Sequence, residues 1–333
     1  MKIAINGFGR IGRNALKILM ARDGAEVVAI NDITDAKTLA HLLKYDTAYG
    51  AYEGKVSAKE NAIVVDGREI PVYAEKDPRN LPWRDLGVDT VIESTGFFTK
   101  PEDARAHLEA GAKRVIISAP AKGEGARTIV IGVNEETIEA SDEILSNASC
   151  TTNCIAPIMK ILADEFGVEK AMMTTVHSYT GSQRLLDAPA KDLREARSAA
   201  ENIVPTTTGA SKAAALTVPA LAGKFNGLSI RVPTPVVSLS DITAVLSRDT
   251  TKEELNEIFT KLANEPYYRG ILGVTNEELV SSDFIGDPRS CIIDLSLTDV
   301  VGGNMVKIVA WYDNEWGYSN RLVELAVDFG SEG

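Results

Sequence analysis

The segment between residues 2 and 31 constrains the fold more strongly than any other part of the chain. It runs from the apolar stretch "KIAIN" through the glycine turn "GFGRIG" and an amphipathic stretch ending at about Ala21 to a second apolar stretch, "EVVAIN". Short apolar runs predict buried strands, and apolar residues at helical spacing predict a helix between them. The order of strand, helix and strand predicts a βαβ unit whose two strands belong to one parallel sheet.

The glycines of this turn follow the pattern G-x-G-x-x-G. Glycine at these positions permits the tight turn, lets the backbone approach a pyrophosphate and allows the helix to pack closely on the strand, while the helix N-terminus faces the phosphates. A plain turn of an α/β protein is the alternative, but the flanking strands and helix favour a dinucleotide site. The residues of the turn that we expect to bind the dinucleotide are Gly7, Gly9, Arg10, Ile11 and Gly12.

Asp32 bears on which dinucleotide is bound. It ends the second predicted strand, 20 residues after Gly12, where a carboxylate can accept hydrogen bonds from an adenosine ribose. A carboxylate there repels a 2′-phosphate, and "NDITD" contains no arginine to offset the repulsion. NAD is therefore favoured, and NADP is the less favoured alternative. Asp32 could also serve as the cap of the following helix.

Further βα units extend this sheet. Strands are predicted near residues 90–95 and 114–118, with a helix at about 101–111 between them. Small residues follow these strands, and we expect Thr95, Gly96 and Ser118 to line the cofactor site. The predicted fold of the first half is a Rossmann-type, doubly wound parallel sheet.

A reactive thiol is predicted at Cys150. Ser149 is a good helix cap, and apolar residues at helical spacing follow until Gly167. In the first turn of a helix the dipole and the unpaired N–H groups stabilise a thiolate, so we expect a lowered pKa for Cys150. Cys154, one turn further on, is interpreted as a buried apolar residue. A metal site is disfavoured because no histidine stands at zinc-motif spacing from the two thiols.

A nucleophilic cysteine needs a base, and His177 is the best candidate because it ends the β-branched stretch in "MMTTVHSYTGSQR". Taken alone, a structural role explains His177 equally well. His41 and His107 lie on predicted helices and are interpreted as surface or packing residues. Residues suited to hold phosphate oxygens follow: Thr180, Arg184, Lys191, Arg194, Arg197, "TTTGAS" (206–211), Lys212 and Arg231.

These motifs together resemble the phosphorylating glyceraldehyde-3-phosphate dehydrogenases of glycolysis. The resemblance covers essentially the whole chain and rests on "INGFGRIGR", "ASCTTNC", "TTVHSYTGSQR", "NIVPTTTGA", "LSIRVPTP" and "WYDNEWGYSNR". It implies that Cys150 is the nucleophile, that His177 is its base and acid, and that Asn314 orients the nicotinamide carboxamide. It also implies two phosphate sites, with Thr180 and Arg231 for the substrate phosphate and Ser149, Thr151, Thr208 and Gly209 for inorganic phosphate.

The resemblance further implies the organisation of the molecule. A dinucleotide-binding domain is expected over residues 1–148 and 315–333, and an α+β catalytic domain with a largely antiparallel sheet over residues 149–314. The substrates would be glyceraldehyde 3-phosphate and inorganic phosphate. The assembly would be a homotetramer, in which the loop of about 178–202 approaches the cofactor of a neighbouring subunit.

Several positions depart from the family pattern. Ser182, Ala190 and Glu195 stand where many bacterial relatives have Asp, His and Arg, and a carboxylate at position 195 would repel phosphate. Pro189 agrees with NAD-using relatives. Two alternatives within the class stay open, an enzyme for erythrose 4-phosphate and an NADP-preferring anabolic relative. An alternative of another class is a non-catalytic thiol redox sensor.

The composition excludes some other functions. A formal net charge of -12 gives a field that repels polyanions, so binding of nucleic acid is disfavoured. The N-terminal "MKIAINGFG" lacks the long apolar core of a secretory signal, and there is no apolar run of membrane-spanning length. We therefore expect a cytoplasmic protein that does not associate with membranes.

Overall fold

The computed structural model describes residues 1–328, which form two compact units. The first unit comprises Met1–Ile129, Glu136–Ala148 and the described residues from Ser319 onward. The second comprises Val130–Glu135 and Ser149–Tyr318.

The first unit alternates strands and helices along much of its length. Its helices are α1 Arg10–Met20, α2 Ala36–Lys44, α3 Trp83–Leu86, α4 Pro101–Ala104 and α5 Ala106–Glu109. Its strands are β1 Lys2–Asn6, β2 Glu26–Asn31, β3 Tyr45–Asp46, β4 Gly50–Ala51, β5 Val56–Lys59, β6 Ala62–Val65, β7 Arg68–Tyr73, β8 Thr90–Glu93, β9 Arg114–Ile117, β10 Arg127–Thr128 and β11 Ile144–Ser146.

The main sheet of this unit has the strand order β10-β11-β9-β8-β1-β2-β7-β6-β5. The strands from β10 to β7 pair in parallel, and β5, β6 and β7 pair antiparallel at one edge. The central position of β1 explains its unbroken apolar sequence, because Ile3, Ala4 and Ile5 are fully buried between neighbouring strands and covering helices. This sheet confirms the predicted parallel Rossmann-type fold.

One predicted helix is wrong in detail. The single helix expected at about 101–111 consists of two short helices, α4 and α5, that meet at Arg105. The N–H of Leu108 binds the carbonyl of Arg105 only three residues back, which tightens the chain at that point.

The second unit contains the helices α6 Cys150–Phe166, α7 Ala210–Thr217 and α8 Lys252–Ala263. Its strands are β12 Val168–Ser178, β13 Val204–Thr207, β14 Phe225–Val232, β15 Ser238–Leu246, β16 Leu272–Thr275, β17 Cys291–Asp294, β18 Asp299–Val301 and β19 Met305–Tyr312. The last described helix, α9 Trp316–Asp328, begins in this unit, and its residues from Ser319 belong to the first.

The sheet of the second unit has the order β13-β14-β12-β15-β19-β17-β16, with β18 paired to β19. Only the pairs β12/β14 and β16/β17 of its described strands are parallel, so the expected largely antiparallel sheet is confirmed. Helix α6 packs against this sheet and against α7, and it buries Cys154, Ile155 and Ile158 completely. The core of this unit therefore lies directly beneath the helix that begins with Cys150.

Candidate active site

Cys150 and His177 lie together in the second unit. The Cys150 Sγ is 3.5 Å from the His177 Nε2. Cys150 is the first residue of α6, and Ser149 caps this helix by accepting a hydrogen bond from the Thr152 N–H at 3.0 Å. His177 is the penultimate residue of β12, where it is buried. A helix start and a strand end thus bring together two side chains that are 27 residues apart.

The protonation states of this pair differ from the prediction. Burial raises the pKa of the Cys150 thiol, against the opposing effects of the Arg231 charge and of hydrogen bonds involving Thr151. The prediction of a lowered pKa for Cys150 is therefore wrong, because desolvation of the thiolate outweighs the favourable helix start. Burial, and then the charge of Arg231, lower the pKa of His177 to about 3. At neutral pH the pair is a thiol facing a neutral imidazole that is free to accept a proton.

Two groups compete for the other ring nitrogen of His177. The carbonyl of Ser178 lies 2.7 Å from Nδ1, and the Arg231 Nη1 lies 2.6 Å from the same atom. A proton on Nδ1 would be donated to the carbonyl and would leave Nε2 as the acceptor toward the thiol. A hydrogen bond donated by Arg231 favours the opposite tautomer. The position of the guanidinium therefore helps to decide whether Nε2, the nitrogen that faces Cys150, carries the ring proton.

Arg231 is placed by strand pairing, since it is the register partner of His177 in the parallel pair β12/β14. Its Nη1 also donates to the Ser178 carbonyl at 3.3 Å. The Arg231 Nε is buried and has no hydrogen-bond partner within residues 1–328, where Arg231 also has no carboxylate partner. A half-buried guanidinium without a counterion is suited to an anionic ligand.

Other predicted cations have partners of their own. Arg197 pairs with Asp187 at 2.8 Å, and Arg184 donates to the carbonyl of Pro189 at 3.0 Å. Both contacts lie within the loop of about 178–202, so these two guanidinium groups are already engaged and are less suited to bind an anion than Arg231. Thr180 exchanges a hydrogen bond of 3.1 Å with Ser182.

The candidate inorganic-phosphate residues lie at the beginnings of two helices. Ser149 and Thr151 begin α6, while Thr208 and Gly209 precede α7. A cavity of 710 Å³ adjoins Thr208 and is lined also by Arg194 and Lys212. The departure at position 195 is close by, because the hydroxyl of Thr206 donates to the Glu195 carboxylate at 3.2 Å. Glu195 therefore lies beside the segment that contains Thr208.

Tyr312 is a residue of this region that the sequence analysis missed. Its hydroxyl lies 2.9 Å from the Thr151 Oγ1 and 2.8 Å from the Thr175 Oγ1, and its ring packs edge-on to His177. Thr151 is consequently buried, with its hydroxyl engaged inside the unit. No sequence signal beyond the matched "WYDNEWGYSNR" pointed to Tyr312, since its partners are far away along the chain.

Asn314 has a fixed orientation. Its Oδ1 accepts hydrogen bonds from the hydroxyls of Ser178 at 2.9 Å and Ser238 at 3.0 Å. Because both lone pairs of this oxygen are occupied, the Nδ2 group is the part of the side chain that can donate to a ligand. Ser238 was not predicted, although the alternation of buried and exposed residues along β15 turns it inward.

The glycine turn of the first unit fits a bound dinucleotide. Gly7 has a φ of 90°, and a Cβ there would lie 2.6 Å from the Thr95 nitrogen. A Cβ at Gly12 would lie 2.1 Å from the Gly7 carbonyl oxygen. Glycine is required at both positions, since any side chain would collide with backbone atoms. The turn leads directly into α1, whose N-cap residue Gly9 offers no side chain to the helix.

A pocket of 590 Å³ adjoins this turn, and Gly7, Gly9, Asp32 and Thr95 are among its lining residues. Ser94, one of the small residues expected to follow β8, also lines the pocket. The lining residues that were not predicted are Asn6, Asn31, Ile33, Glu75, Lys76, Phe97 and Phe98. The other predicted cofactor residues, Arg10, Ile11, Gly12, Gly96 and Ser118, are not part of this lining. Most of the unpredicted residues end a strand or follow one closely. Their position at strand ends could therefore have identified them from the sequence.

The Asp32 carboxylate is held in place at this pocket by the N–H groups of Phe8 at 2.8 Å and Thr34 at 2.9 Å. It does not cap the next helix, because α2 is capped by Asp35, which accepts from the Thr38 N–H at 2.9 Å. The alternative role of Asp32 as a helix cap is thus excluded. A carboxylate fixed at the end of β2 is suited to accept hydrogen bonds from a ribose.

Other features bear on ligands and location. Cys150, Cys154 and Cys291 are free thiols, and the latter two are buried. Residues 1–328 contain no cluster of three or more His, Cys, Asp or Glu side chains arranged to hold a metal ion. None of the helices described between residues 1 and 328 has the length and apolar character needed to cross a membrane.

A Rossmann-type unit with a glycine-turn pocket, together with a unit that pairs a cysteine with a histidine, defines the class of dinucleotide-dependent oxidoreductases that act through a thiol. Comparison with known proteins narrows this class. The family model described as glyceraldehyde 3-phosphate dehydrogenase, NAD binding domain, matches residues 1–101, and the model of the C-terminal domain of the same family matches residues 149–314.

Similar proteins occur in several bacteria. The chain is 57% identical to glyceraldehyde-3-phosphate dehydrogenase 1 of Bacillus cereus over 333 residues, which cover 100% of this chain and 99% of the relative. It is 56% identical to the glyceraldehyde-3-phosphate dehydrogenase of Geobacillus stearothermophilus, and 54% identical to that of Streptomyces coelicolor, with the same coverage. The chain belongs to the glyceraldehyde 3-phosphate dehydrogenase family, and its cofactor is NAD.

Proposed function

We propose that the protein oxidises D-glyceraldehyde 3-phosphate to 1,3-bisphosphoglycerate with NAD and inorganic phosphate, in glycolysis or gluconeogenesis. One structural observation supports this proposal independently of family membership. The thiol of Cys150 faces a neutral His177, and beside them lies Arg231, a guanidinium without a carboxylate partner in the described chain. Nucleophile, base and anion anchor are thus present within one unit.

In the first step the Cys150 thiol adds to the aldehyde carbon. Its proton passes to His177 Nε2, which lies 3.5 Å from the sulfur, and His177 returns this proton to the aldehyde oxygen, which becomes the hydroxyl of a thiohemiacetal. The substrate phosphate would bind Arg231 and Thr180. An anion at Arg231 offsets the positive charge that helps to lower the pKa of His177, so substrate binding should make this histidine a stronger base.

In the second step the thiohemiacetal hydroxyl gives its proton to His177, and the carbon loses a hydride to leave a thioester on Cys150. NAD supplies the hydride acceptor when bound. The residues that would hold it are those of the glycine turn, Asp32 and Thr95, with the Asn314 amide nitrogen donating to the carboxamide. The glycines that leave no room for a Cβ and the fixed orientations of Asp32 and Asn314 fit this role.

In the third step inorganic phosphate attacks the thioester carbonyl, the bond between this carbon and the Cys150 sulfur breaks, and the acyl phosphate is released. The sulfur takes the proton held by His177, which restores the thiol and the neutral imidazole. Cys150 is the first residue of α6, so its N–H has no carbonyl partner inside the helix. This N–H would donate to the thioester carbonyl oxygen as negative charge develops there. Ser149, Thr151, Thr208 and Gly209 would contact the attacking phosphate. Glu195 weakens this site, because its negative charge near Thr206 repels the incoming anion.

The assembly is proposed to be a homotetramer located in the cytoplasm. Large apolar side chains are exposed on the second unit, with Leu185, Leu186 and Leu193 in the loop and Met172 and Ile203 in or next to the sheet. Their exposed fractions range from 65% to 82%, and contact with another subunit would remove these side chains from water. Light scattering coupled to size exclusion tests this, and a monomeric mass would contradict it.

Nicotinamide absorbance tests the proposed reaction. Purified protein is incubated with glyceraldehyde 3-phosphate and either NAD or NADP, with and without inorganic phosphate. We expect turnover with NAD that requires phosphate, and Cys150→Ser should abolish it while NAD binding persists. Turnover indifferent to phosphate would contradict the proposed acyl acceptor, whereas faster turnover with NADP or with erythrose 4-phosphate would favour the corresponding anabolic relative. Binding of NAD without any turnover would favour a thiol sensor.

A further inference from the structure

A network of buried polar side chains lies below the cofactor pocket of the first unit, and the proposed mechanism does not use it. At its centre are Glu93, the last residue of β8, and His107 in α5, which are 2% and 0% exposed. The His107 Nε2 lies 3.1 Å from the Glu93 Oε2. Burial of two ionisable groups is costly, so their retention calls for a reason beyond packing.

Trp83 fixes one side of the network. Its indole N–H donates to His107 Nδ1 at 3.0 Å. Because an indole nitrogen can only donate, Nδ1 must accept, and the ring proton of His107 resides on Nε2. His107 therefore donates to Glu93 and cannot present an acceptor there.

The backbone fixes the other side. The side chain of Asn31 donates to the Glu75 carbonyl and accepts from the Glu75 N–H, both at 2.9 Å, which sets the orientation of its amide. Asn31 then donates to the Asn6 Oδ1 at 2.7 Å, and so the Asn6 Nδ2 is turned toward the Glu93 Oε2 at 2.5 Å. Asn6 Nδ2 and His107 Nε2 are 3.2 Å apart, as expected for two donors that converge on one oxygen.

The second oxygen of Glu93 is bound to the cofactor pocket itself. Its Oε1 accepts from the Thr95 N–H at 2.8 Å and from the Thr95 hydroxyl at 2.5 Å. Four donors thus converge on two carboxylate oxygens. Three residues of this network, Asn6, Asn31 and Thr95, line the pocket of 590 Å³ together with Asp32.

We propose that Glu93 is a positioning residue for the cofactor, whose carboxylate holds the Thr95 turn and the Asn6 side chain in the arrangement that receives the adenosine half of NAD. This inference rests on the cofactor site proposed for this pocket. Glu93 acts through Thr95 and Asn6 and does not itself touch the ligand. A glutamine at this position cannot replace it, because its NH₂ group would face either the Thr95 N–H or the fixed donors of Asn6 and His107.

Calorimetric titration of the full-length Glu93→Gln variant tests the proposal, with NAD and ADP-ribose as the two probes. We expect the Kd of both probes to rise about tenfold, the size expected when one buried hydrogen bond is lost. ADP-ribose lacks only the nicotinamide ring, so an equal effect on both probes shows that the loss does not come from contacts to the nicotinamide. At saturating NAD the kcat should stay within about twofold of the wild type, because the variant keeps the catalytic pair. Unchanged affinity for NAD, or a loss seen with NAD but absent with ADP-ribose, overturns the inference.

A matched variant separates positioning from general loss of stability. Asp294 in the second unit is also a buried carboxylate, and it accepts from Ser296 Oγ at 2.6 Å and from the Trp311 indole N–H at 3.3 Å. Asp294→Asn should lower the unfolding temperature without changing the Kd for NAD. Equal losses of NAD affinity in Glu93→Gln and Asp294→Asn would show that the effect is not specific to Glu93.

A second pair of variants keeps the test informative if Glu93→Gln fails to fold. His107 donates to Glu93 and does not line the pocket, so replacing it reaches the cofactor only through Glu93. His107→Gln can keep an N–H donor toward Glu93, whereas His107→Phe removes it. We expect His107→Gln to bind NAD as the wild type does and His107→Phe to bind it several-fold more weakly. Equal affinities of these two variants contradict the inference. Failure of the wild type to bind NAD contradicts the proposed function instead.

Discussion

Glu195 accepts a hydrogen bond from the Thr206 hydroxyl, two residues before Thr208, which is proposed to contact inorganic phosphate. A carboxylate that is half exposed to water raises the free energy of a nearby bound anion by about 1 kcal/mol. The residue is therefore expected to tune the affinity for phosphate and not to abolish the reaction.

We expect Glu195→Gln to lower the KM for inorganic phosphate about threefold, because the repulsive charge is removed while the hydrogen bond from Thr206 can remain. Steady-state kinetics with varied phosphate measure this, and the KM for glyceraldehyde 3-phosphate should not change. Glu201→Gln, an exposed carboxylate further along the same loop, serves as the control. A raised or unaltered phosphate KM in Glu195→Gln would mean that the carboxylate does not face the phosphate.

Residue types and their spacing identified the candidate nucleophile and base, and the structure brings Cys150 and His177 into contact. Spacing could not give the pKa of Cys150, because the degree of burial depends on elements far away in sequence. The same limit explains why Ser238 and Tyr312 were missed. Both contribute through pairing of β15 with β19, a register that local sequence does not encode.

Among the elements, helix α6 has two roles. Its first turn contains the candidate nucleophile, and the rest of its length contributes buried side chains to the core of the second unit. Its beginning and end were predictable because a serine cap and a terminal glycine are local signals. The break at Arg105 between α4 and α5 was not, since it depends on the tightening of a single turn.

The cap of α6 offers a test at this scale. Ser149→Ala removes the acceptor for the Thr152 N–H, and we expect the free energy of unfolding to fall by about 1 kcal/mol. The phosphate KM should rise as well if Ser149 contacts phosphate. Urea denaturation and steady-state kinetics give the two quantities.

Thr251 provides the matched control for that variant. It caps α8 in the same way, accepting from the Glu254 N–H at 3.1 Å. Thr251→Ala should cost a similar free energy of unfolding and leave the phosphate KM unchanged. If both variants shift the phosphate KM alike, the effect of Ser149 is a consequence of stability alone.

On the scale of the whole molecule, the buried imidazole of His177 couples folding to pH. Its pKa is about 3 in the folded protein, against an ordinary value of 6.5, with burial as the first cause. Between these values the unfolded chain binds a proton at this residue and the folded chain does not. The stability contributed by a neutral His177 is therefore present above about pH 6.5 and is lost progressively as the pH falls toward 3.

We expect the unfolding free energy of the wild type to decrease between pH 6 and 4 more steeply than that of His177→Asn, by up to about 1.4 kcal/mol per pH unit. Urea denaturation at several pH values provides the slopes. His41→Gln, which removes an exposed imidazole, is the control. Equal slopes for the wild type and His177→Asn would show that this histidine is protonated in the folded protein.

Arg231 and His177 occupy one rung of a parallel ladder that runs from Ala171 paired with Phe225 to Ser178 paired with Val232. The pairing of the two backbones thus sets which residue of β14 stands beside His177. A slip of one residue would turn every side chain of β14 to the opposite face. Any substitution that leaves the pairing of β12 with β14 intact therefore keeps position 231 next to the base, whatever side chain it carries.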